Sequence, residues 1–143
     1  MKKTLIILFL LVLNVLKGHA QDITFNHLTT NDGLSQFSVN ALYRDEKGFI
    51  WIGTREGLNR YNGNEIKTYK LQKNNPNSLF CNTVSRIAGN GNGKIYLLCT
   101  EGVSELDTEQ EKFTTLLQGD ITALHYNEKL YIGSRNEIFT YNE

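Results

Sequence analysis

Proline is almost missing from this chain, Pro76 being its sole example, which excludes a Pro-rich linker. Charge of one sign is missing as well: Lys and Arg total 15, as do Asp and Glu. Polyanion binding driven by bulk charge needs a basic patch that displaces counterions, so nucleic-acid binding of that kind is excluded. Cysteine is scarce, with Cys81 and Cys99 alone, and histidine is limited to three residues. His27 and His125 stand at no ligand-like spacing from those cysteines, so no metal site is expected. Present instead are 40% hydrophobic and 10% aromatic residues, enough for a packed core and against disorder. Twelve glycines point to many tight turns. A length of 143 residues allows one ordinary domain.

Residues 1–20 have the layout of a secretory signal peptide. Met1-Lys2-Lys3 is a basic start, Thr4 to Leu16 is apolar apart from Asn14, and Lys17-Gly18-His19-Ala20 ends in a small-x-small cleavage site. The apolar run is shorter than the ~20 residues of a membrane span, and no longer one follows. Cleavage removes three lysines, leaving a slightly acidic mature chain, exported and without a membrane span. No cysteine follows the site, so no lipid anchor is indicated. Export permits a disulfide, but hairpin register weighs against one. With Asn90–Gly93 as the turn, Cys99 faces Val84 and Cys81 would face Gly102. That leaves the two cysteines roughly 10 Å apart on opposite faces, where a bridge needs Cα atoms within about 7 Å.

Self-similarity is the strongest signal. Val39-Asn40-Ala41-Leu42 aligns with Val84-Ser85-Arg86-Ile87, an offset of 45 positions. The same offset carries Gly48-Phe49-Ile50-Trp51-Ile52 onto Gly93-Lys94-Ile95-Tyr96-Leu97, and Glu56-Gly57-Leu58 onto Glu101-Gly102-Val103. A shorter third copy runs through Ile121-Thr122-Ala123-Leu124 and Leu130-Tyr131-Ile132-Gly133-Ser134 to Ile138 and Tyr141. Alternating apolar positions, β-branched and aromatic residues and Gly or Asn breaks read as short strands. Leu42 beside Val39, Ala41 and Tyr43 suggests an inner strand buried on both faces. Asp45-Glu46-Lys47-Gly48 fits a tight turn, and Asn62-Gly63-Asn64 a two-residue hairpin. Four antiparallel strands in about 45 residues make one blade of a β-propeller. The expected fold is therefore all-β, an incomplete propeller of about three four-stranded blades: 34–72, 79–117 and a partial 119–143. Residues 21–30 would form an orphan outer strand. Blades bury their faces on neighbours, so such a set is expected to be marginally stable or aggregation-prone alone.

Leu34-Ser35-Gln36-Phe37-Ser38-Val39 leads into Asp45-x-x-Gly48-Phe49-Ile50-Trp51-Ile52-Gly53-Thr54-x-x-Gly57-Leu58-Asn59-Arg60-Tyr61-Asn62-Gly63. This resembles the two-component regulator propeller repeat. With the preceding Phe25-x-x-Leu28-Thr29-x-x-Asp32-Gly33, it resembles the mature N-terminus of a hybrid two-component sensor. The resemblance implies a Gram-negative periplasmic sensor of two seven-bladed propellers and an immunoglobulin-like domain. A membrane span, histidine kinase, receiver and DNA-binding module would follow. It also implies an oligosaccharide ligand, further blades in a longer chain, and a dimer in a full-length relative. The second copy departs at Leu98 and Cys99, where Gly and Thr are usual. The third has Glu137 where Gly is expected, so Glu137 has to avoid positive φ. No kinase His box, ATP-binding glycine motif, receiver aspartate cluster or helix-turn-helix occurs, so kinase activity does not reside in these residues.

Trp51, Tyr96 and Tyr131 hold equivalent strand positions; a sugar platform would use such rings, but recurrence favours packing between blades. Asp45 sits where a turn wants Asp, not where an acid catalyst would. Gly48, Gly53 and Gly57, with Gly93, Gly102 and Gly133 in the later copies, read as backbone devices. Their spacing, with no helix after it, does not make a phosphate loop. Thr54 and Leu58 complete the motif. Arg55, Arg60 and Tyr61 are the candidates for a polar ligand, against a reading as solvated loop and blade edge. No catalytic constellation or cofactor site is found. The expected function is non-enzymatic sensing; the alternatives are a fragment of an exported polysaccharide-acting propeller enzyme and a protein-interaction propeller.

Overall fold

The computed structural model describes residues 24–142; the signal-peptide region lies outside them. Three antiparallel sheets follow one another along the chain. The first contains β1 (Val39–Arg44), β2 (Ile50–Thr54), β3 (Leu58–Tyr61) and β4 (Ile66–Tyr69). The second contains β5 (Val84–Gly89), β6 (Lys94–Cys99), β7 (Gly102–Asp107) and β8 (Lys112–Gln118). The third has β9 (Ile121–Asn127), β10 (Lys129–Ser134) and β11 (Ile138–Tyr141). Strand order in space follows chain order in every sheet, so each is a meander built from local turns.

Asp45 fixes the first turn. Its carboxylate accepts the backbone N–H groups of Lys47 at 3.0 Å and Phe49 at 2.9 Å, and the indole N–H of Trp51 at 2.7 Å. Gly48, at φ 89°, closes the turn onto the Asp45 carbonyl. Asn90 does the same for the second sheet, accepting from the N–H groups of Asn92 and Lys94. Gly57 and Gly102 lie at φ 132° and 143°, and a Cβ there would stand 2.5 Å from the Tyr69 carbonyl oxygen and 2.0 Å from that of Leu117. Glycine is thus required both by conformation and by the passing outer strand. Glu137 keeps the equivalent turn, Ser134 N–H to Glu137 O at 2.9 Å, without positive φ. Among the described residues no fourth strand runs past it, so the side chain is tolerated.

The sheets pack face to face. Trp51, Leu58 and Tyr69 of the first meet Val84, Ile95, Leu97, Leu106 and Phe113 of the second, with Leu79 and Cys81 of the connection between them. Tyr96, Leu98 and Val103 on the opposite face of the second sheet meet Leu130 and Ile132 of the third. Trp51, Tyr69 and Phe113 form a run of ring contacts, and Tyr96 stacks on Tyr126 at 5.6 Å. Gly53 permits the first approach, since a Cβ would meet Val84 Cγ1 at 2.9 Å. Leu98, in the corresponding place, is instead buried in the core between the second and third sheets.

Four expectations need correction. Residues 24–29 are not a strand, and Thr30–Asp32 is a 3-10 turn capped by Thr29. Leu42 is 65% exposed because β1 is an edge strand and, among the described residues, no sheet lies opposite its outer face. Tyr131 is 39% exposed, whereas Trp51 and Tyr96 are buried; it points from the third sheet to the side where no further sheet is described. The place reasoned for Cys81 differs too. A bulge between Val84 and Arg86 gives the Val84–Cys99 pairing, but Cys81 is not in a strand. The chain folds back there, and both cysteines are buried and free.

Candidate functional site

Antiparallel order sorts the loops onto two ends. The β1–β2 and β3–β4 turns and their equivalents share one, the turn end. The other, the crossing end, gathers the β2–β3 turns and the segments 70–83 and 119–120 that pass between sheets.

The turn end is stitched across the first interface. Glu46 accepts the Gly93 N–H at 2.8 Å, and Lys47 pairs with Glu109. Glu111 collects Arg60 at 3.1 Å, Lys67, and the Tyr69 hydroxyl at 3.0 Å. The Lys67 bond, helped by Tyr69 and Arg60, holds the Glu111 carboxyl below its ordinary value. Burial and the bond to Glu111 push the Tyr69 phenol up. The Arg60 guanidinium also lies 4.8 Å from the Phe49 ring centroid and 5.8 Å from that of Trp51. Its charge is therefore engaged between the sheets. Tyr61 donates to the Gly63 carbonyl in its own turn. Arg55 stands at the opposite end of β3, where its carbonyl accepts from Thr83. The structure does not bring Arg55, Arg60 and Tyr61 together.

Polar side chains are arranged differently at the crossing end. Asn59, fully buried, accepts from the Ser35 N–H and the Thr68 hydroxyl and donates to Ser35 Oγ and the Ile52 carbonyl. Thr54 joins through Ser35 at 2.8 Å and donates to the Gly57 carbonyl. This network clamps the entering segment onto the first sheet and is satisfied internally. Around the third sheet, an open cleft of about 350 Å³ is lined by Gln118, Asp120, Ile121, Ser134, Arg135 and Phe139, among others. Asp120 and Arg135 pair across it at 3.0 Å with both side chains exposed. An exposed ion pair adds little stability, and charged donors and acceptors beside an aromatic ring suit a neutral polyhydroxylated ligand. Sequence reasoning passed over Gln118, Asp120 and Arg135. The available signal was their position: Arg135 falls in the β10–β11 turn that corresponds to the β2–β3 turn of Arg55. No group of three or more His, Cys, Asp or Glu among the described residues is placed to hold a metal.

Comparison with known proteins places this architecture. Residues 32–56 match the two component regulator propeller family. Over 71 residues, 50% of the chain, it is 41% identical to Histidine kinase P4 of Formosa agariphila, of which it spans only 5%. Among solved structures it resembles an extracellular domain described as that of a hybrid two component system, BT3049 of B. thetaiotaomicron. The TM-score is 0.66 at 22% identity, covering 75% of this chain and 17% of that one. The extracellular domain of BT4673 from the same organism, described as a one component system, gives 0.64 at 15% identity over 85% of this chain and 19% of that one. PorZ, a surface component of the type-IX secretion system of Porphyromonas gingivalis, gives 0.56 at 19% identity, covering 73% and 17%. The chain thus carries a two-component regulator propeller repeat, is homologous over half its length to a histidine kinase, and has the fold of extracellular domains of two-component and one-component sensors.

Proposed function

We propose that this chain is the N-terminal part of an exported, ligand-sensing β-propeller belonging to a hybrid two-component sensor of a Gram-negative periplasm. Its three sheets are consecutive blades, its ligand is an oligosaccharide, and its partners are the further blades of a longer chain. The observation that carries the reading is the repeated antiparallel sheet stacked on its neighbour, with the repeat motif falling at the same structural positions: Asp45 and Asn90 in the turns, Trp51 and Tyr96 in the interfaces, Gly57 and Gly102 under the outer strands. The leader pattern of residues 1–20 supports export, and so does the likeness to extracellular domains. Sensing requires a ligand that binds two arrangements of the blades with different affinity. The crossing end suits that requirement, because the turn end is committed to bonds between sheets whereas Asp120 and Arg135 flank an open cleft. The test is isothermal titration of the complete sensor domain with a panel of oligosaccharides. Saturable binding that weakens in Arg135→Ala supports the reading, and an intact, folded sensor that binds none of the panel sinks the carbohydrate assignment.

A further inference from the structure

Cys81 and Cys99 form a buried pair that no part of the sensing reading uses. Cys81 lies in the connection that crosses from β4 to β5, and Cys99 is the last residue of β6. Val84, three residues after Cys81, is paired with Cys99 in the β5–β6 ladder, so the connection brings Cys81 back beside the end of β6, where both cysteines are free. Both are buried in the first interface, at 5% and 2% exposure. Cys81 Sγ lies 3.5 Å from the Thr83 carbonyl, to which its thiol donates, and 3.6 Å from Thr100 Oγ1.

The geometry points to an intramolecular Cys81–Cys99 disulfide, formed when the chain folds in an oxidising compartment and stapling the β4–β5 connection to the β6–β7 turn. The two sulfurs have a division of labour. In the closed fold the neighbouring Cys99, with the Thr100 hydroxyl and the N–H groups of Thr100 and Glu101, holds the Cys81 pKa down at about 6. The neighbouring Cys81 and burial push Cys99 up. Cys81, on the connection outside any strand, is the first nucleophile once deprotonated, before the interface closes. It attacks one sulfur of a small-molecule or protein disulfide, giving a mixed disulfide and releasing one oxidant thiolate. Cys99 passes its proton to that thiolate, and its sulfur displaces the second oxidant sulfur. Two thiols and one oxidant disulfide become one internal disulfide and a reduced dithiol, with two electrons passing to the oxidant. Burial requires the exchange to precede closure of the interface and afterwards shields the bond from reductants.

The consequence lies at the crossing end. Thr83, two residues after Cys81, donates to the Arg55 carbonyl of the first sheet, and Glu101, two after Cys99, accepts from Gly119 at the start of the third. A bridge there ties the connections of all three sheets at the end proposed for ligand. The inference rests on export only for its natural oxidant, so its test supplies one. The chain is refolded with oxidised glutathione, denatured, alkylated and peptide-mapped by mass spectrometry. The expected product is a single linked peptide pair holding Cys81 and Cys99, lighter by two hydrogens than the reduced pair, with no stable glutathione adduct. Cys81→Ser and Cys99→Thr should each lose it, and the reductant-induced fall in Tm of the wild-type chain should vanish in both. Full alkylation of both thiols, or a persistent glutathione adduct on either, would overturn the proposal whether or not the protein is exported. Recovery of the linked pair from the periplasm, with the leader removed, tests the natural setting separately from ligand binding.

Discussion

A single carboxylate organises the first repeat. Asp45 receives two backbone donors and the Trp51 indole while 6% exposed. Asp45→Ala leaves a buried indole N–H without its acceptor, and an unsatisfied buried donor costs about 1–3 kcal/mol. We expect a loss of about 2–3 kcal/mol on that basis, read as a lower urea midpoint. Trp51 is the sole tryptophan, so its fluorescence reports this interface directly. Gly102→Ala should also be costly, at least the ~1–2 kcal/mol of a left-handed residue, because the new methyl meets the Leu117 backbone. Glu137→Ala should shift the same midpoint by well under 1 kcal/mol, as surface substitutions usually do.

Between elements, Glu111 holds the outer edge of one sheet against the next. Its carboxyl titrates below its ordinary value when folded, chiefly through Lys67. The sign follows: the ionised form binds better in the native state, so the stabilisation is present above the unfolded carboxylate pKa near 4.5. It is lost as pH falls through the lower folded value. Wild-type stability should drop over that acid window, and Glu111→Gln should flatten the drop while weakening the protein at pH 7. Urea midpoints between pH 3 and 7 decide it; parallel curves for the two proteins would remove Glu111 from the account. The turns, strand order and outer-strand glycines were legible in the sequence because they depend on neighbours within a few positions. The placement of Cys81 was not, because a register count assumes a continuing strand where the β4–β5 connection instead folds back. Arg60 was read as a ligand candidate for a similar reason: its partners Phe49 and Glu111 come from a distant turn and the neighbouring sheet.

At the scale of the whole molecule, the middle sheet is covered on both faces and the outer two are not. Val39, Leu42 and Phe37 are exposed on one flank, and Tyr131, Ile138 and Phe139 on the other. Exposed apolar surface of this kind marks an interaction face or an aggregation liability. The isolated mature chain should therefore bind a hydrophobic dye such as ANS and self-associate with rising concentration. A cooperative melt from a monomer that binds no dye would contradict this. The repeat period and its turn chemistry determined by themselves that the chain makes successive antiparallel sheets, since strands and hairpins are set by local alternation and by Asp, Asn and Gly at fixed offsets. Which faces are buried, which charges are spent between sheets, and where Cys81 lies was decided only by tertiary packing. Those outcomes depend on what lies opposite each face, and the same Trp or Tyr position is core at Trp51 and Tyr96 but surface at Tyr131.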